Sequence, residues 1–119
     1  MNRELGRWGE EVAVKFLRKK GCRIIAQNYA SPWGEIDIIA KEKRCLVFVE
    51  VKTRSSSQFG LPQEAVDRRK QKQISKSALY YLSTHQLLNT PARFDVVSIF
   101  LHSDGLREIN WFKDVFSLC

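Results

Sequence analysis

Leu5, Trp8, Val12 and Phe16 return every three or four positions along the first twenty residues, the spacing of a helix with one apolar stripe. That pattern predicts a helix over 3–20, with Arg18, Lys19 and Lys20 suited to its C-terminal end and Gly21 as its stop. The period then shortens to two. A short strand is expected at about 23–27, then a turn through "NYASPWG", then strands near 35–40 and 45–53 joined as a hairpin by "KEKR". "TRSSSQFGLP" reads as a loop that can contact a ligand or merely connect, and Pro62 is expected to open a second helix reaching about Thr84. Its stripe is Val66, Ile74, Ala78, Tyr81 and Leu82. "RFDVVSIFL" is a fourth strand, "HSDG" a turn and "REINWF" a last strand. The order αβββαββ predicts an α/β fold, a β-sheet flanked by two helices. With no repeat or linker, residues 1–119 are expected to form a single domain.

Charges interrupt this pattern inside the strands. Side chains two apart share a strand face. Val47, Val49 and Val51 therefore lie on one face, and Phe48, Glu50 and Lys52 on the other. Ile36, Ile38 and Ala40 are expected on the core side, with Glu35 and Asp37 opposite. Pairing the polar faces brings Asp37, Glu50 and Lys52 together at the ends remote from "KEKR". Two carboxylates and an ammonium there make a hard oxygen site for Mg²⁺ or Mn²⁺. The competing reading is a sheet with one wet face, on which these residues are cross-strand ion pairs. Glu11, spaced three, four and seven from Arg7, Lys15 and Arg18, belongs to a solvated face. Glu10 lies by Ala13, Val14 and Leu17, at the edge of the apolar stripe, where it is either poised toward the sheet or simply favourable to the helix dipole. Lys70 occupies the second helix's core stripe, either as a snorkelling stem or as a cation aimed at the acids.

Composition narrows the classes of function. The net charge is +7, and no acid occurs between Arg68 and Arg93, where Arg68, Arg69, Lys70, Lys72 and Lys76 crowd one end. That run is either a solvated face or a contact for a polyanion such as nucleic acid. A lipid-binding surface is disfavoured, since no helix pairs the run with a broad apolar face. The longest apolar run, "CLVFV", is too short to span a bilayer, and the first residues do not resemble a signal peptide. Cys22, Cys45 and Cys119 are odd in number and lack metal-ligand spacing, which fits reduced thiols in a cytoplasmic protein. His85 and His102 are not brought near the acids by any spacing.

"GEID" followed about a dozen residues later by "VFVEVKTR" resembles the PD-(D/E)xK nuclease superfamily, whose restriction-endonuclease-like core is a mixed sheet between helices. "GEEVAVKFL", "GEIDIIA", "LVFVEVKTR" and "RFDVVSI", in that order, resemble the YraN-like bacterial family, a relative of archaeal Holliday junction resolvases. The motif's proline is absent, Ile36 preceding Asp37. The resemblance implies a metal-dependent DNA endonuclease, structure-specific for branched or flapped DNA in recombination and repair, working as a homodimer. It implies that Asp37 and Glu50 ligate Mg²⁺ or Mn²⁺ with the Val51 carbonyl, that Glu10 completes the metal site, and that Lys52 positions and helps deprotonate the attacking water. The basic second helix and the loop before it, with Arg54, Arg68, Arg69, Lys70 and Lys72, would track the nucleic-acid backbone with little base readout. The alternative is a non-catalytic nucleic-acid-binding module that keeps the fold.

Overall fold

The computed structural model describes residues 3–55 and 66–117. Its elements are α1 (Arg3–Lys19), β1 (Arg23–Ser31), β2 (Gly34–Glu42), β3 (Cys45–Ser55), α2 (Arg68–Thr84), β4 (Ala92–Leu101) and β5 (Arg107–Phe116). The expected order αβββαββ is the order observed. The strands form one five-stranded sheet in the sequence β1-β2-β3-β4-β5. β3 and β4 are parallel across the α2 crossover, and the other neighbours are antiparallel, so the sheet is mixed.

Both faces of the sheet are covered. α1 lays Val12, Ala13, Val14 and Leu17 over Ile38, Ala40, Val47, Val49, Val97 and Ile99. α2 lays Ile74, Ala78, Tyr81 and Leu82 over Ile36, Ile39, Leu46, Phe48, Phe94 and Val96. The centre of the sheet therefore has no wet face, and Leu46 to Val51 are all buried. A strand buried on both sides reads as a continuous apolar run, which makes Glu50 the exception to be explained.

Three expectations are corrected. Ile36 packs under α2 rather than beside Ile38 and Ala40, because β2 leaves β3 just before Ile38 and the alternation does not carry across that point. α2 starts at Arg68: Asp67 is its N-cap, with backbone in the extended region and Oδ1 accepting the Lys70 N–H at 2.9 Å. Val66 is buried against the helix's core face but precedes the helix, and Pro62 lies outside the described residues. In α1 the deepest residues are Gly9, Val12, Ala13, Val14 and Leu17, while Trp8 and Phe16 are half-buried at the edge. Cys119 also lies outside the described residues, and Cys22 and Cys45 are free thiols.

A polar cluster ties β4 to β5 and to the hairpin end of β2. Asp95, on β4, is buried and accepts from Arg93 Nε at 3.0 Å, Trp111 Nε1 at 2.8 Å and the Asp114 backbone N–H at 2.9 Å. Arg93 Nη2 also donates to Glu42 at 2.6 Å, and Lys113 reaches Glu42 at 3.2 Å while lying 4.1 Å over the Trp111 ring. Trp111 is thus a half-buried structural residue packed on Phe16, Phe112 packs on the α2 side, and Trp33 is exposed. No described helix is long and apolar enough to cross a membrane.

Candidate active site

β2 and β3 are paired from Glu42 opposite Cys45 to Ile38 opposite Val49, and there the pairing ends. β3 continues beside β4 as far as Ser55. A strand that keeps going after its neighbour has left exposes backbone groups that need partners. Asp37 supplies one: its Oδ2 accepts the Val51 N–H at 2.8 Å. An acid therefore stands in this apolar strand where it replaces a missing ladder bond.

Glu50 is the next residue inward on β3, buried, and hydrogen-bonded to the Asp37 carboxyl. Burial, then the hydrogen bond and charge of Glu50, push Asp37 up from an ordinary 3.8 to about 8. The Val51 N–H pulls the other way, and Glu10 adds a smaller push upward. The Asp37–Glu50 pair therefore favours sharing a proton, with Asp37 the member pushed upward. Lys70 Nζ lies 3.3 Å and Lys52 Nζ 3.8 Å from Glu50 Oε2. The cation in the core stripe of α2 thus reaches the acids rather than merely snorkelling at the rim.

Glu10 approaches from α1. It is half-buried, and its carboxyl is raised first by burial and then by Glu35 and Glu50, with a hydrogen bond from the Asn28 side chain opposing. The register of β1 on β2 places Asn28 opposite Asp37, and its φ of 51° is the left-handed conformation that asparagine tolerates better than most residues. Asn28 thus turns an amide toward Glu10 from the middle of a strand.

Gly9 sets how closely α1 can come. A Cβ there would overlap Thr53 Oγ1 on β3 and sit 2.9 Å from Thr53 Cβ. Gly9→Ala should lower stability by about 2 kcal/mol, the usual penalty of overpacking, and push Glu10 away from the acid pair. Thermal melting checks the first effect. Loss of the Glu10–Asn28 contact in a structure of the variant checks the second.

The remaining residues singled out lie around this centre. Arg54 is half-buried two residues beyond Lys52, and Arg68, Arg69 and Lys72 are exposed on the first turns of α2. Glu11 is exposed, as its solvated spacing implied. His85 caps α2 and stacks on Tyr81, and His102 pairs with Glu108 in the last turn. Neither histidine joins the acids. Among the described residues no three His, Cys, Asp or Glu side chains are gathered tightly enough to hold a metal ion by themselves.

A family model described as "Uncharacterised protein family UPF0102" matches residues 9–99, a span that runs from Gly9 through every acid and lysine of this site and most of β4. The chain belongs to that family. UPF0102, the YraN-like family, is thus the relation that the ordered motifs indicated. A UPF0102 protein of Syntrophus aciditrophicus is 49% identical over 117 residues, covering 98% of this chain and 91% of its own length. One of Syntrophomonas wolfei is 47% identical over 116 residues, covering 98% of this chain and all of its own. Among solved structures, Pyrococcus furiosus SfsA in complex with Ca²⁺ aligns with 93% of this chain and 63% of its own at 14% identity, with a TM-score of 0.38.

Three residues of the site escaped the reading of the UPF0102 sequence. Gly9 carried a usable signal, since a glycine inside a helical pattern lowers helix propensity and usually has a packing reason. Asn28 carried none, because its role depends on the β1–β2 register. Gln73, which approaches the Glu35 carbonyl at 3.5 Å, sits on α2 one turn past Lys70 and reads from sequence as an ordinary polar position.

Proposed function

We propose that this protein is a metal-dependent endonuclease that hydrolyses phosphodiester bonds in DNA, with branched or flapped DNA as its substrate class. The observation that carries the reading is the Asp37–Glu50 pair: two hydrogen-bonded acids where β2 leaves β3, flanked by two lysines. Such a pair fits Mg²⁺ or Mn²⁺, which are held through one or two carboxylates with water and phosphate oxygens filling the other positions. Burial and the neighbouring Glu50 raise the Asp37 pKa, and a bound cation would offset both effects.

In this reading Asp37 and Glu50 hold the ion, aided by the Val51 carbonyl, and Glu10 completes the set from α1. When bound, the ion supplies a lowered water pKa and positive charge beside the phosphate. Lys52, half-buried next to Glu50, orients the attacking water and offsets charge building on the phosphate oxygens. Lys70 faces the same carboxylate from α2 and holds the phosphate from the other side. Arg54, Arg68, Arg69 and Lys72 carry neighbouring phosphates, so binding should weaken steeply with salt.

The test is cleavage of four-way-junction, flap and linear duplex DNA with Mg²⁺ or Mn²⁺. Strand scission near the branch is expected, falling roughly a hundredfold in Lys52→Met. Intact substrates throughout would remove the enzyme reading. One observation favours the second reading, a non-catalytic nucleic-acid-binding module: Lys52 and Lys70 already neutralise Glu50 without a metal. That reading requires Asp37→Ala to leave DNA retention and cellular phenotype intact while charge reversal at Arg68, Arg69 and Lys72 abolishes both.

A further inference from the structure

Lys70, Gln73, Ser77 and Tyr80 recur at helical spacing along α2 and trace one line over the β1–β2 hairpin. Lys70 reaches Glu50, Gln73 lies against Gly34 and the Glu35 carbonyl, and Ser77 Oγ meets Ser31 Oγ at 2.7 Å. Tyr80 meets Trp33, with ring centroids 5.9 Å apart and planes at 70°. The line that begins at the acid pair therefore ends on two aromatic rings at the surface. Trp33 is 47% exposed and Tyr80 38%.

A clasp between hairpin and helix does not account for this exposure. The hairpin is already tied to α2 through Ser31–Ser77 and Gln73, and the Trp33 N–H is held by Ser31 Oγ at 3.2 Å. An edge-to-face contact also uses only one of the pair's ring faces. Arg69, Lys72 and Lys76 are exposed on α2, a helix that carries no acid, while Glu35 is exposed on the facing β2 beside Gln73. A cationic track that leads to open aromatic faces is the combination that binds a single strand, the cations following phosphates while a ring stacks on a base.

We propose that Trp33 and Tyr80 form a stacking platform for an unpaired base of the DNA that the site acts on. The choice of DNA rests on the nuclease reading; the platform itself rests on the rings and the basic track. Roughly ten residues of helix separate Lys70 from Tyr80, about 15 Å. At the roughly 3.4 Å rise of one stacked strand, that places the stacked base about four nucleotides from the phosphate that Lys70 would hold. A protein built this way prefers DNA in which a duplex opens into a single strand.

The test is binding by fluorescence anisotropy in EDTA, where neither metal nor cleavage contributes. The probes are a blunt duplex, the same duplex with a tail of about six nucleotides to match the track's reach, and that tail made of abasic sugars with every phosphate kept. Wild type should bind the tailed duplex about tenfold more tightly than the abasic-tailed one. Trp33→Leu and Tyr80→Leu should lose that margin and leave blunt-duplex binding unchanged, and Trp33→Phe should keep most of it. Equal affinity for the normal and abasic tails would overturn the platform, and it does so without any variant that has to fold. Such a failure leaves cleavage untouched, whereas an uncut junction beside a clear tail preference removes the nuclease and leaves the platform.

Discussion

Asp37→Asn should lose DNA cleavage by roughly a thousandfold and yet melt at a higher temperature than the wild type above pH 8. The amide that replaces the carboxyl can still accept the Val51 N–H and can donate to Glu50, so the local hydrogen bonds survive the change. What disappears is a buried carboxyl whose pKa rises from 3.8 unfolded to about 8 folded. A raised folded pKa means that the native state binds the extra proton, so the wild type is stabilised below pH 4 and loses that stability as pH rises through 8. The variant does not titrate there, and the two curves should separate across that window. Each tenfold change in proton affinity is about 1.4 kcal/mol. Discounted by half for the carboxyl's partial contact with water, the gap above pH 8 is about 3 kcal/mol. Melting curves from pH 4 to 9 in EDTA measure it. Parallel curves for the two proteins would mean that Asp37 is an ordinary ionised side chain.

Asp95→Ala should be the most destabilising single change in the ion network, by about 4 kcal/mol, with a melting temperature lower by roughly 15 °C. The substitution leaves the Trp111 indole N–H, the Asp114 N–H and one side of Arg93 without their acceptor in a buried position. Glu42 still holds Arg93, so the loss is not that of a bare buried charge. Asp95 pairs with Val49 on the α1 side of the sheet, and its carboxyl contacts Arg93, Trp111 and Asp114 rather than Asp37, Glu50 or the two lysines. Well below its lowered melting point the variant should therefore cut DNA at the wild-type rate. A variant as stable as the wild type, or one that folds and is inactive, would show that this cluster is not the structural clamp described.

Periodicity made the elements legible, because each helix and strand buries a face and the face repeats with the element's own period. The same alternation correctly put Glu50 and Lys52 together and made Lys70 conspicuous as a cation in an apolar stripe. It misplaced Ile36, because alternation assumes a strand that keeps its partner, and nothing in "GEIDII" marks where the β2–β3 ladder stops. That break is what gives Asp37 its backbone bond and its shared proton. The start of α2 was misjudged for a related reason: Pro62 is a plausible first helical residue, but Asp67 caps the helix five residues later. Asn28 and the Trp33–Tyr80 pair depend on long-range packing, which a pattern along one strand does not encode.

Calorimetric titration of Mn²⁺ into the wild type and into Asp37→Asn at pH 7, with and without junction DNA, tests the metal site most directly. The wild type should bind saturably and release a proton as the ion displaces the one shared by Asp37 and Glu50, so the heat should vary with the buffer's ionisation enthalpy. Asp37→Asn should show neither binding nor proton release. No Mn²⁺ binding by the wild type under any of these conditions, or equal binding by both proteins, would contradict the account and return Asp37 and Glu50 to the role of a structural acid pair.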